Sequence, residues 1–337
     1  MGHRDSDSPG HTLTLPRLLW GRGPPLPHAG HIKCFSPTPS TRGGSLRYRR
    51  DECAFLGCNC PYEGARYVVI PVPYDSGSSW MTGSRGAPRA IIEASLEIDP
   101  FDAELGLNPS EAGIHTLPEV DLVRDSSEAS FSAIEESVSR VVTDGKIPVI
   151  LGGDHSVTQA AFSAVASRGE VAYVVLDAHL DMYDSYQGSR HSHACTSMRC
   201  AERAVGAVII GARTASPEEL EAARRLGVSV VWAADLEASG VDAIRDALDS
   251  LPSRRAYLSI DADFLDPSIV PCVGNPEPGG LGWRMALKVI SAVAESLEVC
   301  AVDLVEFIPC WRWDVPLTLA KLVYKTIGFL ELFKPPG

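Results

Sequence analysis

Acidic and imidazole side chains are concentrated in three short segments of this chain. Six of them form the candidate set: His155 in Gly-Gly-Asp-His-Ser, Asp177, His179 and Asp181 in Asp-Ala-His-Leu-Asp, and Asp261 and Asp263 in Asp-Ala-Asp. Four carboxylates packed together would repel and raise one another's pKa, whereas two divalent ions would cancel their charge. Oxygen-rich ligands with two imidazoles and no thiolate favour Mn²⁺ over structural zinc, with Fe, Co or Ni as alternatives. The pattern predicts a two-metal hydrolytic site.

The spacing within the segments allows the side chains to converge. In extended backbone, residues i and i+2 point the same way, so Asp177, His179 and Asp181 can face one cavity, as can Asp261 and Asp263. Each segment taken alone also fits an ordinary turn or a helix cap. Their joint occurrence after three apolar runs favours the metal site.

The flanking sequence predicts the elements that position these residues. Short apolar runs without alternation, typical of buried parallel strands, occur at 147–151, 171–176, 257–260 and 299–305. Helical spacing of apolar residues occurs at 157–167, 217–226, 241–251 and 284–297. This βαβα alternation predicts an α/β fold, a three-layer α/β/α sandwich with a mostly parallel central sheet. Since ligands in such folds bind beyond the carboxyl ends of strands, the three segments should meet at one edge.

The same segments resemble the signature of the ureohydrolases, the family of arginases and agmatinases. The similarity runs from about Phe55 to the C-terminus and includes Val-Pro-Tyr-Asp-Ser-Gly at 72–77 and the stretch at 83–91. It implies an arginase-like fold with two Mn²⁺ ions per chain. By this resemblance one ion is bound by His155, Asp177, Asp181 and Asp261, and the other by His179, Asp177, Asp261 and Asp263. Asp177 and Asp261 would then bridge the two ions.

Hydrolysis of a guanidinium group makes two demands that such a site can meet. The group is a poor electrophile, and two divalent ions can lower the pKa of the attacking water. The departing amine must be protonated, which calls for a general acid. His193 resembles the family's loop histidine that shuttles protons, with His191 as the competing residue. Glu306, after the run 299–305, resembles the carboxylate that pairs with the substrate guanidinium, with Asp303 as its competitor. His193 and Glu306 are therefore the predicted catalytic and substrate-binding residues.

The loops give a narrower expectation for the substrate. Arginases carry an asparagine two positions after the third ligand, where this chain has Tyr183. The stretch Gly-Asn-Pro-Glu-Pro-Gly-Gly-Leu at 274–281 is similar to that of agmatinases. We therefore expect hydrolysis of agmatine to putrescine and urea; arginase, guanidinobutyrase and aminopropylagmatine ureohydrolase activities remain alternatives. Two other classes also remain: a one-metal hydrolase such as a deacetylase, and a non-catalytic metal-binding assembly subunit.

Composition bounds the partners and the compartment. The formal net charge of −13 over 337 residues disfavours binding to nucleic acid or to anionic membranes. No apolar run reaches the roughly 18 residues that span a bilayer. We expect a cytoplasmic enzyme for a small cationic guanidino substrate, and the family resemblance suggests a homo-oligomer, a trimer or hexamer. The odd number of cysteines, nine, predicts reduced thiols.

The composition of the chain changes near residue 50. Residues 1–50 are rich in Pro, Gly, Ser, His and Arg without periodicity, which predicts a disordered extension or a mis-assigned translation start. Residues 51–337 are expected to form a single catalytic domain.

Overall fold

The computed structural model describes residues 54–123 and 125–334, so the expectation for residues 1–50 lies outside the described part. Within these ranges the strands are β1 (Tyr67–Pro71), β2 (Ile114–Thr116), β3 (Ile147–Leu151), β4 (Ala172–Leu176), β5 (Ala207–Ala212), β6 (Ser229–Trp232), β7 (Arg255–Asp261) and β8 (Glu298–Val305). The α-helices in the same ranges are α1 (Ala87–Ser95), α2 (Ser127–Thr143), α3 (Val157–Ala166), α4 (Thr196–Ala201), α5 (Pro217–Leu226), α6 (Ala233–Ser239), α7 (Asp242–Asp249), α8 (Trp283–Ser296) and α9 (Asp314–Leu332).

The eight strands form one sheet in the order β2-β1-β3-β8-β7-β4-β5-β6. Every pair of neighbouring strands is parallel. The last strand, β8, therefore lies between β3 and β7, with Leu151 beside Leu304 and Asp261 beside Val305. The carboxyl ends of β3, β8, β7 and β4 adjoin one another at the centre of the sheet. The predicted parallel α/β architecture is confirmed.

Helices cover both faces of the sheet, because successive strand residues point to opposite sides. In β4, Val174 and Leu176 pack into one apolar cluster with residues of α1, α6, α7, α8 and α9. Tyr173 and Val175 pack into the other cluster with residues of α2, α3, α4 and α5. Both faces of β4 are fully buried, as expected for an all-apolar central strand. The predicted three-layer arrangement is confirmed.

The helix α5 shows how local sequence sets an element that reaches the site. Ser216 caps its first turn in a capping box with Glu219, Pro217 occupies the first turn, and Gly227 ends the helix with φ of 66°. The predicted bounds 217–226 agree with the structure. The capping box fixes the buried Glu219 beside the carboxyl end of β5. Among the described helices, none has the length and apolarity needed to cross a membrane.

A disulfide joins the loops that follow β7 and β8. Cys272 and Cys310 are 38 residues apart in sequence, yet their sulfur atoms are bonded. Val273 and Phe307 form an antiparallel bridge beside them, and the Ile308 amide donates to the Cys272 carbonyl over 2.9 Å. The expectation of reduced thiols is wrong for this pair. Its basis was cysteine number, whereas the pairing follows from the adjacency of β7 and β8.

Candidate active site

Four side chains surround one point beyond the ends of β3, β4 and β7. His155 is fully buried, and its Nδ1 atom lies 3.0 Å from Asp181 Oδ2, 3.2 Å from Asp177 Oδ2 and 3.3 Å from Asp261 Oδ2. Two of these acids follow β4, and Asp261 is the last residue of β7. One imidazole nitrogen and three carboxylate oxygens therefore face a common centre.

A second group adjoins the first and shares Asp177 with it. The Nδ1 atom of His179 lies 3.0 Å from Asp263 Oδ2 and 3.6 Å from Asp177 Oδ1. Asp177 thus directs one oxygen to each group. Backbone amides orient the acids: Asp261 Oδ1 accepts from the Asp263 amide over 2.9 Å, and Asp263 Oδ1 accepts from the Ala178 amide over 3.1 Å. The fold brings all six sequence-predicted ligand residues together.

The electrostatics of the two groups suit divalent cations. Burial raises the pKa of Asp261 well above its usual value, and the neighbouring Asp263 and Asp177 raise it further. Burial and Asp177 likewise raise the pKa of Asp181 to about 6. Asp177 Oδ2 is buried without a hydrogen bond, although it lies near His155. Such a cluster of desolvated carboxylates is costly without positive charge, and it has the oxygen and imidazole donors that Mn²⁺ prefers.

A buried relay under the first group fixes the orientation of His155. Ser259 donates its hydroxyl proton to Asp303 Oδ1 over 2.6 Å, so the serine oxygen is free to accept from His155 Nε2 at 3.0 Å. Asp303 Oδ2 also accepts from Tyr257 at 2.6 Å and Thr158 at 2.7 Å. Because Nε2 keeps its proton for Ser259, Nδ1 is the nitrogen that faces the acids and would bind a metal once its own proton is lost. Asp303, the competitor of Glu306, belongs to this relay rather than to the cavity wall.

Glu306 and His193 form a buried pair beside the acids. Glu306 Oε1 accepts from the His155 amide at 2.7 Å and lies 3.0 Å from His193 Nδ1. Burial lowers the pKa of His193, but the carboxylates of Glu306, Asp181 and Asp154 outweigh this and raise it to about 9. These carboxylates favour the protonated imidazole, whereas the Ser79 amide, which donates to His193 Nε2 at 3.2 Å, favours a lone pair on that nitrogen.

His191 lies elsewhere. Its ring packs edge-to-face on Phe131, with ring centres 4.6 Å apart, in a separate groove lined by α2 and α3 residues. Between the two loop histidines that the sequence left in competition, the fold places His193 in the cavity.

Two of the site residues have backbone conformations that residues other than glycine rarely adopt. Asp181 has φ of 51° and Glu306 has φ of 67°. The left-handed region is uncommon for residues other than glycine, and where it occurs the surrounding structure must hold it. At Glu306 the backbone amide donates to the Gly153 carbonyl over 2.7 Å. This conformation turns the Glu306 side chain away from the line of β8 toward His155.

A loop after β1 supports His193 from the other side. The buried Asp154 accepts from the Gly77 amide over 2.6 Å, and the Gly77 carbonyl accepts from the His193 amide over 3.1 Å. Ser79 Oγ lies 2.8 Å from His193 Nε2. Gly153 permits this packing, because a Cβ atom there would lie 1.8 Å from the Tyr74 carbonyl oxygen. Ser79 and Ser259 were missed from sequence; for Ser79 the only signal was the family-like stretch at 72–77 that precedes it.

Four of the candidate ligand residues line a cavity of about 340 Å³, namely His179, Asp181, Asp261 and Asp263. The rest of its lining is both aromatic and polar and includes Ser79, Tyr183, Tyr186, Ser216, Glu219 and Asn275. The rings of Tyr183 and Tyr186 lie 5.2 Å apart, and Glu219 is buried. The cavity lining thus combines candidate metal ligands with a further carboxylate and two aromatic rings.

Characterised proteins share this sequence over most of its length. N(1)-aminopropylagmatine ureohydrolase of Thermus thermophilus is 40% identical over 277 residues, which cover 81% of this chain and 93% of the relative. Agmatinase of Pyrococcus horikoshii is 33% identical and covers 78% of this chain and 92% of its own length. Both relatives carry names of guanidine-cleaving hydrolases.

Solved structures agree with the sequence relatives. The crystal structure of agmatine ureohydrolase of Thermoplasma volcanium superposes with a TM-score of 0.74 at 33% identity, covering 81% of this chain and 92% of that one. Arginase from Medicago truncatula superposes with a TM-score of 0.70 at 29% identity, covering 79% and 88%. The sequence profile of the arginase family matches residues 65–327. The chain therefore belongs to the arginase family, whose members hydrolyse guanidino compounds at a binuclear metal centre.

Proposed function

We propose that this chain releases urea from a linear guanidino amine, with its two His-carboxylate groups as the sites of two Mn²⁺ ions. The observation that carries the proposal is the position of Asp177, which directs one oxygen to His155 and the other to His179. A shared carboxylate between two donor groups suits a pair of metal ions and not a single one.

The ligand assignment combines the two groups with the family resemblance, which adds Asp261 to the second group. His155, Asp177, Asp181 and Asp261 would hold one ion, and His179, Asp177, Asp261 and Asp263 the other. When bound, the ions supply the Lewis acidity that lowers the pKa of the attacking water. Four carboxylates offset the charge of two divalent ions, so the metal-loaded site would not repel a cationic substrate.

Glu306 and His193 supply the remaining chemistry. Both hydrogen bonds that Glu306 accepts within the described residues end at Oε1. Its Oε2 atom is therefore the acceptor for the substrate guanidinium, a charge-assisted bond. After the water gives up one proton to solvent, its oxygen bonds to the guanidino carbon. His193 then donates a proton to the alkyl nitrogen as the bond from that nitrogen to the carbon breaks, and the remaining hydroxyl proton leaves to solvent, so that the products are urea and the free amine. Ser79 Oγ, beside Nε2, would relay a replacement proton to the ring.

The preferred substrate in this proposal is N1-aminopropylagmatine, with agmatine as the second candidate. The relatives that are 40% and 41% identical over more than four-fifths of this chain carry the first name. The lining suits a longer, doubly cationic tail, because it includes the aromatic rings of Tyr183 and Tyr186, which can bind ammonium groups, and the buried carboxylate of Glu219. Hydrolysis would yield urea and aminopropylputrescine, that is, spermidine. Agmatine, the substrate expected from the 274–281 stretch, remains supported by agmatinase relatives.

The deciding experiment is a panel of guanidino compounds assayed for urea with Mn²⁺, Zn²⁺ and Ni²⁺, alongside metal analysis of the purified protein. Two Mn²⁺ ions per chain and the largest kcat/KM with N1-aminopropylagmatine would support the proposal. A larger kcat/KM with agmatine or arginine would overturn the substrate choice alone. One Zn²⁺ ion without urea would favour a deacetylase-like hydrolase, and no metal would favour an assembly subunit. Asp177→Asn and Asp261→Asn should lose metal and turnover, whereas Asp249→Asn, in an exposed pair with Arg254, should lose neither.

Assembly and location remain predictions from the sequence. We expect a trimer or hexamer in the cytoplasm, and light scattering of the purified protein measures the first directly.

A further inference from the structure

Asn275 carries a buried acceptor that the protein itself leaves unused. Its side-chain oxygen is shielded from solvent and has no hydrogen-bond partner among the described residues, while the residue lines the active-site cavity. A desolvated carbonyl without a donor destabilises the fold unless something else satisfies it. Its position on the cavity wall makes a bound substrate the natural donor.

The loop that carries Asn275 is held at both ends. On one side, the disulfide between Cys272 and Cys310 and the Ile308 amide fasten it to the segment after β8. On the other side, Arg213 donates to the Glu277 carbonyl at 2.8 Å. The acceptor is therefore preorganised, which lowers the entropy lost when a ligand binds.

The same loop lies against the free oxygen of Glu306. A Cβ atom added to Gly274 would lie 3.1 Å from Glu306 Oε2, so glycine gives the carboxylate room beside the loop. Glu306 Oε1 is already occupied by the His155 amide and His193. Glu306 Oε2 and the Asn275 oxygen are thus two acceptors on one stretch of the cavity wall.

We propose that Asn275 is a substrate-binding residue whose side-chain oxygen accepts an N–H of the guanidinium that Glu306 also binds. A guanidinium group is planar, has donors on every nitrogen and has no acceptor, so two neighbouring oxygens can engage adjacent N–H groups and fix its plane. This inference rests on the proposed function, because the ligand it recognises is the guanidino end of that substrate.

The test compares Asn275→Leu with Asn275→Asp in the Mn²⁺-loaded enzyme, using the better of N1-aminopropylagmatine and agmatine. Leucine keeps the approximate size and removes the acceptor; aspartate keeps an acceptor oxygen in either protonation state. Loss of a hydrogen bond to a charged group predicts a KM increase of roughly ten- to a hundredfold for Asn275→Leu. The kcat should change much less, because the bond forms in the substrate complex and persists in the transition state. Asn275→Asp should retain a KM near that of the wild type.

Glu277→Gln is the matched control, because it alters the same loop through a side chain outside the cavity lining. Metal content and the circular dichroism spectrum of each variant establish that the centre and the fold are intact. An unchanged KM in Asn275→Leu, or an equal loss in Asn275→Asp, would overturn the inference while wild-type urea release leaves the proposed function standing. A wild-type enzyme that releases no urea from either substrate would instead refute the proposed function.

Discussion

Ser259 donates a hydrogen bond of 2.6 Å to Asp303, and both side chains are fully buried in neighbouring strands of the sheet. The bond determines which way the serine hydroxyl points, and therefore that its oxygen faces His155 Nε2 as an acceptor. Hydrogen bonds to the remote nitrogen of a metal-binding imidazole hold its tautomer and ring orientation. The relay thus connects the interior of the sheet to the candidate metal centre.

Replacing Ser259 with alanine should weaken metal binding. Without the acceptor, the proton on His155 Nε2 is left buried and unpaired, and the ring no longer has a fixed tautomer. Losses of this kind reduce metal affinity by about 10- to 100-fold. Isothermal titration of metal-free protein with Mn²⁺ measures the change.

Thr158→Val provides the control for this prediction. The Thr158 hydroxyl also donates to Asp303, but to the other carboxylate oxygen. Its one hydrogen bond to His155 runs from the Thr158 amide to the His155 carbonyl, and valine retains that bond. The variant should therefore retain near-normal Mn²⁺ affinity. Equal losses in the two variants would mean that Asp303 acts through general stability and not through His155.

The sequence identified candidate site residues at the ends of strands more readily than the buried residues within the strands that support them. Asp177 and Asp261 could be assigned because an acid directly after a buried apolar run is unusual and points to one edge of the sheet. Ser259 could not, because a serine inside a strand reads as an ordinary core residue. Asp303 and Glu306 could not be separated without the backbone of Glu306, whose positive φ turns only the latter toward His155.

Strand order was the other missing information. The helices and strands alternate along the chain in a way that any parallel sheet would satisfy. The position of β8 between β3 and β7 is set by tertiary packing. This position brings Cys310 to Cys272 and Glu306 to His155. Pairings of this kind depend on which loops share an edge, so residue spacing does not reveal them.

Metal uptake should release protons, and affinity should rise with pH. Burial alone would lower the pKa of His155, but Tyr173 and the hydrogen-bonded Asp177, Asp181 and Asp261 raise it well above the usual value. The same opposition, with Asp263 as the largest raising contribution, lifts the pKa of His179. The raised pKa values favour the doubly protonated, cationic imidazolium for both residues at neutral pH in the metal-free protein, and each ring must lose one of its two protons to bind an ion.

Calorimetry in buffers of different ionisation enthalpy measures this proton release. The observed enthalpy of Mn²⁺ binding at pH 7 should vary linearly with the ionisation enthalpy of the buffer. The apparent affinity for Mn²⁺ should fall as the pH decreases from about 8 to about 6, because protons compete with the ion for the ligands. An observed enthalpy that is the same in every buffer would contradict the raised pKa values of the two imidazoles.

His193→Ala should slow turnover while leaving metal binding intact. The residue contacts Glu306 and Ser79 and lies outside both candidate metal groups, so its loss removes a proton donor and not a ligand. General acid catalysis contributes about 10²- to 10⁴-fold, which sets the size of the expected decrease in kcat.

His191→Ala is the paired variant, since its ring lies against Phe131 in a different groove. Its kcat should stay near that of the wild type. A His193→Ala enzyme as fast as the wild type would transfer the proton donation to solvent or to another group.

Glu219→Gln should discriminate between substrates by the charge of their tails. Glutamine keeps one oxygen for the Ser216 amide in the capping box of α5, so the helix start is preserved. The buried negative charge and the acceptor for the Met182 amide at 3.3 Å are lost. The kcat/KM for N1-aminopropylagmatine should fall by about tenfold or more, the size expected when a charge-assisted hydrogen bond is lost. Butylguanidine, whose tail has no charge, should be hydrolysed by the two enzymes at similar kcat/KM. A parallel decrease with butylguanidine would mean that Glu219 supports the fold of the site and does not read the tail.

Opening the disulfide between Cys272 and Cys310 should raise KM and lower thermal stability together. In the chain-entropy treatment, a cross-link between residues 38 apart restricts the unfolded chain and so stabilises the folded protein by about 4 kcal/mol. The double variant with serine at both positions should therefore unfold at lower temperature. The KM should rise because the loop that carries Asn275 loses its covalent link to the segment after β8 and keeps only hydrogen bonds there, while metal content should not change.

A dithiol reductant should reproduce this increase in the wild-type enzyme and leave the double serine variant unaffected. Cys300→Ser serves as the control, because Cys300 lies on β8 away from the loop and donates to the Ala256 carbonyl. If reductant lowers the melting temperature but leaves KM unchanged, the disulfide stabilises the fold without fixing the loop at the substrate.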